Sequence, residues 1–350
     1  MASKAEIAAA FRMQAEWCQR LGSPFTATLA TLSAQALERG GLLGDLIGDW
    51  PGEPTADGLP LRFFGALHAL VLSGDDPALA ALYPPRQAGP ALWPAVEAAM
   101  AARPDHFRRF LLLAPQTNEV RRSALLLPGF AAIARRARRP LRLLEIGASA
   151  GLNTIWDKYR YRYTGGPVWG DAASTVEISC EGRGAPLDLG GAIEVRDRAA
   201  CDQAPIDLAD PAQIHRLRAY IWPDQPDRLA RLDAATTLAL KLGVTVERAD
   251  AADWIERRLV RPAGDVVTVL YHSVVWQYLP QATRERIRAA MGAFGAAHPL
   301  AWLALESEGR DAPYALRLTY WPGDGTRTKA KLAEVSPHGV WLNWLGNALS

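Results

Sequence analysis

The sequence has few cysteines and no long hydrophobic segment. Its three cysteines, Cys18, Cys180 and Cys201, form no CxxC pair, so the sequence predicts neither a disulfide framework nor a metal site. No run of about 18 apolar residues is present that would span a membrane. Glu6 and Arg12 interrupt the stretch that a signal peptide would need to be apolar. We therefore expect a cytoplasmic protein that does not enter a membrane.

The charges of the chain are almost balanced. The 39 basic and 37 acidic residues leave a formal net charge of +2. Such a small surplus gives no field that would attract nucleic acid or an anionic membrane, so a small molecule is the expected partner. The length of 350 residues exceeds the usual size of one domain and predicts two, while the oligomeric state is not specified.

The hydrophobic pattern changes once along the chain. In residues 1–139, apolar residues recur at intervals of three and four, which predicts a helical domain. At Leu141–Ile146 an apolar run ends in a glycine turn, which is typical of a buried parallel strand. Residues 140–350 are therefore predicted to form an α/β domain.

Further apolar segments of the second half predict the remaining strands. The last two predicted strands, at residues 315–321 and 339–345, are joined by a polar loop, so we expect them to pair antiparallel. The predicted fold class is α/β: a Rossmann-like sheet with an antiparallel last strand, preceded by an all-α domain. A hairpin is expected to be inserted near residues 159–192. The predicted strands lie at residues 176–180, 193–198, 244–249, 265–271, 300–306, 315–321 and 339–345.

A glycine-rich turn follows the first predicted strand. It runs Glu145-Ile146-Gly147-Ala148-Ser149-Ala150-Gly151 and leads into a predicted helix. Glycines let a ligand approach the backbone, and the N–H groups at a helix N-terminus attract an anion. The turn lacks the G-x-G-x-x-G order of dinucleotide-binding proteins. Its acid-x-Gly-x-x-x-Gly spacing resembles the first motif of class I S-adenosylmethionine-dependent methyltransferases.

This resemblance implies a set of cofactor-binding residues. Asp250 and Ala251, which follow the strand at residues 244–249, would bind the adenine edge. The segment His272–Pro280 resembles the fourth-strand region of that family, where a polar residue faces the methyl group. The residues that would surround the methionine half of S-adenosylmethionine are Glu145, Gly147, Ser149, Gly151 and Asn153.

The acid that binds the ribose is harder to place. It is expected about 20 residues after the glycine turn, where this sequence has no strand that ends in an acid. If a hairpin is inserted there, the second strand of the sheet is the one at residues 193–198. Asp202 is then the first choice for the ribose, with Asp197 and Asp207 as alternatives.

Four segments resemble an uncharacterised bacterial family of unknown function. They are EIGASAGLN, QTNEVRRSALLLP, WPDQPDRLARL and YHSVVWQYLP, and the resemblance covers nearly the full length. It implies a methyltransferase-like Rossmann domain behind a helical N-terminal part. No activity is implied by it.

Two histidines are expected at the carboxyl edge of the sheet. His272 ends a strand and His338 begins one of opposite direction, so both should lie near a ligand. A histidine there can act as a general base toward the methyl acceptor. We predict His272 and Tyr278 as catalytic residues and His338 as a substrate contact.

Polar residues before the last N-terminal helix have two interpretations. Asn118 and Glu119 fit an ordinary helix cap. Together with Arg122 they also fit a lid that contributes to the substrate site.

The sequence therefore predicts a methyltransferase that uses S-adenosylmethionine and acts on a small molecule that the sequence does not identify. One alternative is a protein that binds the cofactor or senses a ligand without catalysis. Another is a serine esterase, because Gly147–Gly151 also matches the G-x-S-x-G pattern with Ser149 at its centre.

Overall fold

The computed structural model describes residues 1–86, 89–262, 264–309 and 312–346. The chain folds into two compact units, and each unit contains two parts of the sequence. The first comprises Met1–Thr117 and Asp210–Ala230, and the second comprises Asn118–Ala209 and Arg231–Ser350. This division differs from the single boundary expected at residue 139.

The described residues form twelve α-helices and eleven strands. The helices are α1 (Lys4–Arg20), α2 (Pro24–Arg39), α3 (Leu42–Ile47), α4 (Leu59–Ser73), α5 (Pro77–Ala80), α6 (Leu92–Ala102), α7 (Pro104–Leu111), α8 (Arg122–Ala137), α9 (Pro211–Ala219), α10 (Pro226–Lys241), α11 (Ala251–Arg258) and α12 (Gln281–Gly295). The strands are β1 (Leu141–Ile146), β2 (Arg160–Thr164), β3 (Val168–Trp169), β4 (Glu177–Gly184), β5 (Val195–Asp202), β6 (Glu247–Arg248), β7 (Val267–Ser273), β8 (Leu300–Glu306), β9 (Tyr314–Trp321), β10 (Thr328–Val335) and β11 (Trp341–Trp344).

The first unit is helical, as the sequence predicts for the N-terminal region. Helices α1–α7 and α9 belong to it. Their apolar faces meet in a core that contains the fully buried rings of Phe11, Phe63 and Phe107. Phe11 and Phe63 contact each other edge to face, with ring centroids 6.1 Å apart, which is a favourable geometry for aromatic pairs.

The segment Asp210–Ala230 joins this unit through the start of α2. This helix begins at Pro24. Ser23 does not cap it, because the N–H of Phe25 donates to the carboxylate of Asp224 at 2.9 Å. A residue about 200 positions away in sequence therefore caps the helix.

The second unit is built on an eleven-stranded sheet in the order β3-β2-β4-β11-β10-β9-β8-β7-β1-β5-β6. The strands β6, β5, β1, β7 and β8 run parallel to one another. Ranked by chain position they stand in the order 3-2-1-4-5, which is the order found in doubly wound α/β sheets. Antiparallel strands β9, β10 and β11 continue the sheet. The α/β class and the antiparallel last strand are thus confirmed.

Both faces of the parallel strands are covered. Leu144 and Ile146 of β1 pack on one face with apolar residues of α11 and α12. On the other face, Phe130 of α8 contacts Tyr271 of β7 edge to face, with ring centroids 5.1 Å apart. Helix α8 therefore belongs to the sheet unit and not to the helical unit that precedes it in sequence.

The insertion after β1 is larger than a hairpin. β2 and β3 pair antiparallel, and β4 lies parallel between β2 and β11, so the insertion extends the far end of the sheet. The next strand that pairs with β1 is β5, on the side of β1 that faces away from the insertion. This agrees with the expectation for residues 193–198. The sequence-based interpretation of β9 and β11 as direct neighbours is wrong, because β10 lies between them.

Among the described residues, no helix has both the length and the apolar composition that crossing a membrane requires.

Candidate functional site

The parallel strands bring the predicted site residues to one edge of the sheet. β1 pairs with β5 on one side and with β7 on the other. The glycine turn follows β1, Asp202 ends β5 and Ser273 ends β7. Ligands of open parallel sheets bind outside the carboxyl ends, where the strand order reverses. In this sheet that position lies between β1 and β7.

The glycine turn has an unusual backbone. Gly147, Ser149 and Gly151 have φ angles of 65°, 55° and 73°, which lie in the left-handed region that favours glycine. The N–H of Ser149 donates to Oδ2 of Asp202 at 2.9 Å. The N–H of Leu152 donates to Oδ1 of Asn118 at 2.9 Å. The N–H of Ser149 in the turn and the N–H of Leu152 directly after it are therefore both bound by side chains of the protein.

Protein side chains also occupy the space beside the two glycines. A Cβ atom at Gly147 would lie 2.8 Å from Cβ of Val275 and still closer to its Cγ2. A Cβ at Gly151 would lie 2.8 Å from Val246 and 2.9 Å from Val244. The absence of side chains on these glycines lets valines approach the turn, whereas the sequence pattern suggests that a ligand does so.

The helix predicted after the turn is a short 3₁₀ helix, Leu152–Lys158. Its first N–H is capped by Asn118, so it does not offer the open N-terminus of an α-helix to an anion. Asn118 and Glu119 are both buried. The carbonyl oxygen of Glu119 accepts a hydrogen bond from Nδ2 of Asn153 at 3.4 Å. These two residues support the 3₁₀ helix and do not form an open lid.

Glu145 is enclosed by the protein. Its side chain is 2% exposed, and the hydroxyl of Tyr271 donates to Oε2 at 3.1 Å. Burial raises the pKa of Glu145 to about 8, with the charge of Asp202 adding to the rise and the Tyr271 bond opposing it. The carboxyl group is therefore largely protonated at neutral pH.

The three candidates for the ribose acid lie in different places. Asp197 lies inside β5 and not at its end. Its Oδ2 is 3.6 Å from Nε of Arg142. Asp207 accepts a hydrogen bond from the N–H of Ala209 within a turn. Oδ2 of Asp202 contacts the glycine turn, where it accepts from the N–H of Ser149. Its role toward the ribose stays a prediction.

Asp250 is the N-cap of α11. Its Oδ1 accepts from the N–H of Ala252 at 2.8 Å and of Asp253 at 3.2 Å. Ala251 is the first residue of the helix. One carboxylate oxygen thus has a structural role, as in many aspartate caps.

His272 lies in a hydrogen-bonded group at the ends of β7 and β8. Its side chain is completely buried, and Nε2 accepts from the indole N–H of Trp302 at 2.9 Å. Because a tryptophan N–H only donates, Nδ1 carries the ring proton and donates to Oε1 of Glu306 at 2.6 Å. Neither ring nitrogen is free to take a proton in this arrangement. The geometry therefore favours a positioning role for His272 over that of a general base.

The remaining substrate candidates surround the end of β7. Nε of Arg122 donates to the carbonyl oxygen of Pro337 at 3.0 Å, which places Arg122 next to the loop that carries His338. Nη1 of Arg122 lies 3.5 Å from the carbonyl oxygen of Ser273. Tyr278 is 66% exposed, in the 3₁₀ helix Trp276–Tyr278. A role of Tyr278 in the chemistry stays a prediction.

The Ser149 hydroxyl has no hydrogen-bond partner among the described residues, although it is buried. A serine nucleophile needs a base within hydrogen-bonding distance. The geometry therefore gives no support to an esterase with Ser149 as nucleophile.

Sequence reasoning missed Glu306, Trp302 and Tyr271. Glu306 was identifiable in principle, because it ends a predicted strand and β8 runs parallel beside β7. An acid at that position is expected at the same edge as His272. The two aromatic residues lie within apolar strands and carry no such signal.

A cavity of about 260 Å³ adjoins the 3₁₀ helix Leu152–Lys158. Thr154 and Ile155 form one wall, and Arg198–Ala200 of β5 with residues 242–245 form the others. Arg198 and Lys158 both pair with Asp157. The volume is just below the usual range of about 300–1,000 Å³ for small-molecule pockets.

Comparisons with known proteins give one result. A family model described as "Uncharacterized protein conserved in bacteria (DUF2332)" matches residues 8–344. No curated protein and no solved structure matches the chain. The match extends over nearly the whole sequence, and the chain therefore belongs to the bacterial family DUF2332.

Proposed function

We propose that the protein binds S-adenosylmethionine at the carboxyl edge of its parallel strands and transfers the methyl group to a small molecule. One observation carries the proposal. Three buried polar atoms at that edge have no hydrogen-bond partner among the described residues: Ser149 Oγ, Asn153 Oδ1 and Glu306 Oε2. Buried polar atoms are nearly always paired in folded proteins, and unpaired ones at the ligand-binding edge of such a sheet favour a ligand site.

The chemical groups at this edge suit the cofactor. The Ser149 hydroxyl can donate to the carboxylate of the methionine moiety, and Oδ1 of Asn153 can accept from its ammonium group. Each oxygen of Asp202 already accepts one backbone N–H, from Ser149 and Ala204. A carboxylate accepts about four hydrogen bonds, so Asp202 retains capacity for the ribose hydroxyls.

The chain's own contribution to the reaction would be positioning. When bound, S-adenosylmethionine supplies an electrophilic methyl group, so little acid–base chemistry is required of the protein. Alignment of the acceptor with that group provides much of the rate. The side chain of Val275 covers Gly147, so a ligand reaches this glycine only after that side chain moves.

Calorimetric titration of the full chain tests the proposal. S-adenosylmethionine and S-adenosylhomocysteine should bind, and NADH and FAD should not. Ser149→Ala should weaken binding at least about tenfold, the usual effect of losing a hydrogen bond to a charged group. The matched control is Thr236→Val in α10, which removes another buried hydroxyl without a partner and should leave affinity unchanged.

Absence of binding to both compounds would reject the proposal. Equal affinity of wild type and Ser149→Ala would show that the cofactor binds elsewhere.

A second candidate is a protein that binds the cofactor without catalysis. The observation that favours it is the engagement of both His272 ring nitrogens by Trp302 and Glu306, which leaves His272 no ring nitrogen to act as a base. Incubation with methyl-labelled S-adenosylmethionine and a bacterial small-molecule extract separates the two candidates. A labelled product supports the methyltransferase, whereas bound but unconsumed cofactor supports the binding protein.

A further inference from the structure

The two carboxylate oxygens of Glu306 have very different surroundings. Oε1 accepts three hydrogen bonds, from Nδ1 of His272 at 2.6 Å, the N–H of Val275 at 3.0 Å and the N–H of Trp276 at 3.1 Å. Oε2 is buried without a hydrogen-bond partner among the described residues. Both lone pairs of Oε2 are therefore unused.

Among the described residues, the basic side chain that Glu306 contacts is His272, through Oε1. Nε2 of that ring accepts from Trp302, so it is Nδ1 that donates to Glu306. No lysine or arginine in the described part of the chain forms an ion pair with Glu306; its ion-pairing distance is to His272. Burial would raise the pKa of Glu306, but the hydrogen bond from His272, the electrostatic attraction of that ring and the N–H groups of Val275 and Trp276 outweigh burial and lower the pKa. The carboxylate is thus ionised at neutral pH.

The backbone that holds Glu306 is strained. Val274 has a φ angle of 58°, which a β-branched residue rarely adopts. This conformation turns the chain so that the N–H groups of Val275 and Trp276 both point at Oε1, in the manner of a backbone nest. Such strain persists where the surrounding structure enforces it, and it clusters at functional sites. Here it fixes the orientation of Glu306.

Aromatic rings lie beside the histidine that donates to this carboxylate. The ring of Trp276 stacks on His272, with centroids 5.1 Å apart and planes at 13°. The ring of Trp302 lies 5.1 Å from that of Trp276. The guanidinium of Arg288 lies 5.1 Å from the centroid of the Trp276 ring, so this ring already contacts a cation of the chain. A further cation would therefore bind through Oε2 of Glu306 and not on the Trp276 ring.

We propose that the substrate carries an ammonium group and that Oε2 of Glu306 binds it. This inference rests on the proposed function, since it names the class of methyl acceptor: a small molecule with a protonated amino group. The ammonium would donate to the unpaired oxygen and balance its charge, as a desolvated carboxylate requires. His272 and the nest at Val275 and Trp276 are positioning groups that hold the carboxylate for this contact.

Benzylamine and benzyl alcohol are suitable probes, because they have the same shape and only the amine is charged at neutral pH. Their binding to the full chain is measured by calorimetry or by ligand-observed NMR. The variants are Glu306→Gln, whose amide oxygen can still accept from Val275 and Trp276, and the control Glu285→Gln on the exposed face of α12. Thermal midpoints report whether each variant is folded.

Wild type and Glu285→Gln should bind benzylamine at least about tenfold more tightly than benzyl alcohol, as expected for a charge-assisted hydrogen bond. Glu306→Gln should lose this preference. Equal affinities of wild type for the amine and the alcohol would overturn the inference, and this comparison decides even if Glu306→Gln does not fold. A preference that persists in folded Glu306→Gln would also overturn it.

Titration of the same wild-type sample with S-adenosylhomocysteine separates the two proposals. Binding of this compound without amine preference would remove only the ammonium site. Amine preference without such binding would leave the ammonium site and remove the methyltransferase proposal.

Discussion

Gly147 and Val275 are packed so closely that no side chain fits at residue 147. A Cβ there would lie 2.8 Å from Cβ of Val275 and closer to its Cγ2, below any distance seen between such atoms. The glycine also has a φ of 65°. The contact joins the turn after β1 to the turn after β7, at the point where the strand order reverses.

Gly147→Ala should therefore destabilise the protein by about 2–4 kcal/mol, from the strained backbone and the clash together. Gly243→Ala is the matched control, since Gly243 has the same φ of 65° and open space around it. That variant should lose only about 1 kcal/mol. Chemical denaturation measures both. Adding Val275→Ala to Gly147→Ala should restore part of the lost free energy of unfolding. Equal losses in Gly147→Ala and Gly243→Ala would contradict the close contact between Gly147 and Val275.

The buried carboxyl of Glu145 should make stability depend on pH. Its pKa is about 8 in the folded chain against an ordinary value of 4.5. At a pH between these two values, the carboxyl of Glu145 loses its proton in the unfolded chain and keeps it in the folded chain. The free energy of unfolding therefore falls as the pH rises, by at most about 1.4 kcal/mol per pH unit. Glu145→Gln keeps a neutral acceptor for Tyr271 and should flatten the profile.

Urea midpoints of wild type and Glu145→Gln from pH 5 to pH 8 test this expectation. Glu285→Gln, which changes an exposed carboxylate, should give a curve parallel to that of wild type. Parallel curves for Glu145→Gln and wild type would mean that Glu145 is ionised in the folded protein.

The replacement of His272 tests whether this residue holds Glu306 in place. His272→Leu removes a donor to Glu306 and leaves the Trp302 N–H unpaired in a buried place. We expect a loss of about 2–4 kcal/mol in the free energy of unfolding, because a buried charge loses a partner. The control His298→Leu changes a half-buried ring that contacts Phe294 and should cost about 1 kcal/mol or less. A stable His272→Leu would indicate that the histidine does not hold Glu306.

The sequence is sufficient to predict the first strand and its turn, but not the partners of that turn. Leu141–Ile146 is an apolar run before a glycine, and all six residues are buried, as both faces of a parallel strand require. Asn118 reaches Leu152 and His272 reaches Glu306 across more than thirty positions. Such pairs depend on the order of the strands in the sheet, and no local pattern encodes that order.

Strand β10 shows why a strand can escape the sequence pattern. Thr328 and Lys329 are exposed, whereas Leu332, Ala333 and Val335 are buried. The register with β9 shifts between Lys331 and Ala333, and such a bulge breaks the alternation of inward and outward residues. The segment therefore lacks the period of two that predicts a strand.

Val274 provides a test of strain at the proposed site. Its φ of 58° costs a β-branched residue about 1–2 kcal/mol relative to ordinary backbone, whereas asparagine tolerates this region well. Val274→Asn should therefore raise the free energy of unfolding by about 1 kcal/mol in chemical denaturation. The control is Val260→Asn, because Val260 is 73% exposed and has no positive φ. This control should change the free energy of unfolding by less than about 0.5 kcal/mol.

Destabilisation by Val274→Asn would show that packing of the valine side chain outweighs the strain. A stabilised variant that keeps its preference for benzylamine would show that the left-handed backbone of this turn, and not the valine side chain, holds both N–H groups on Oε1.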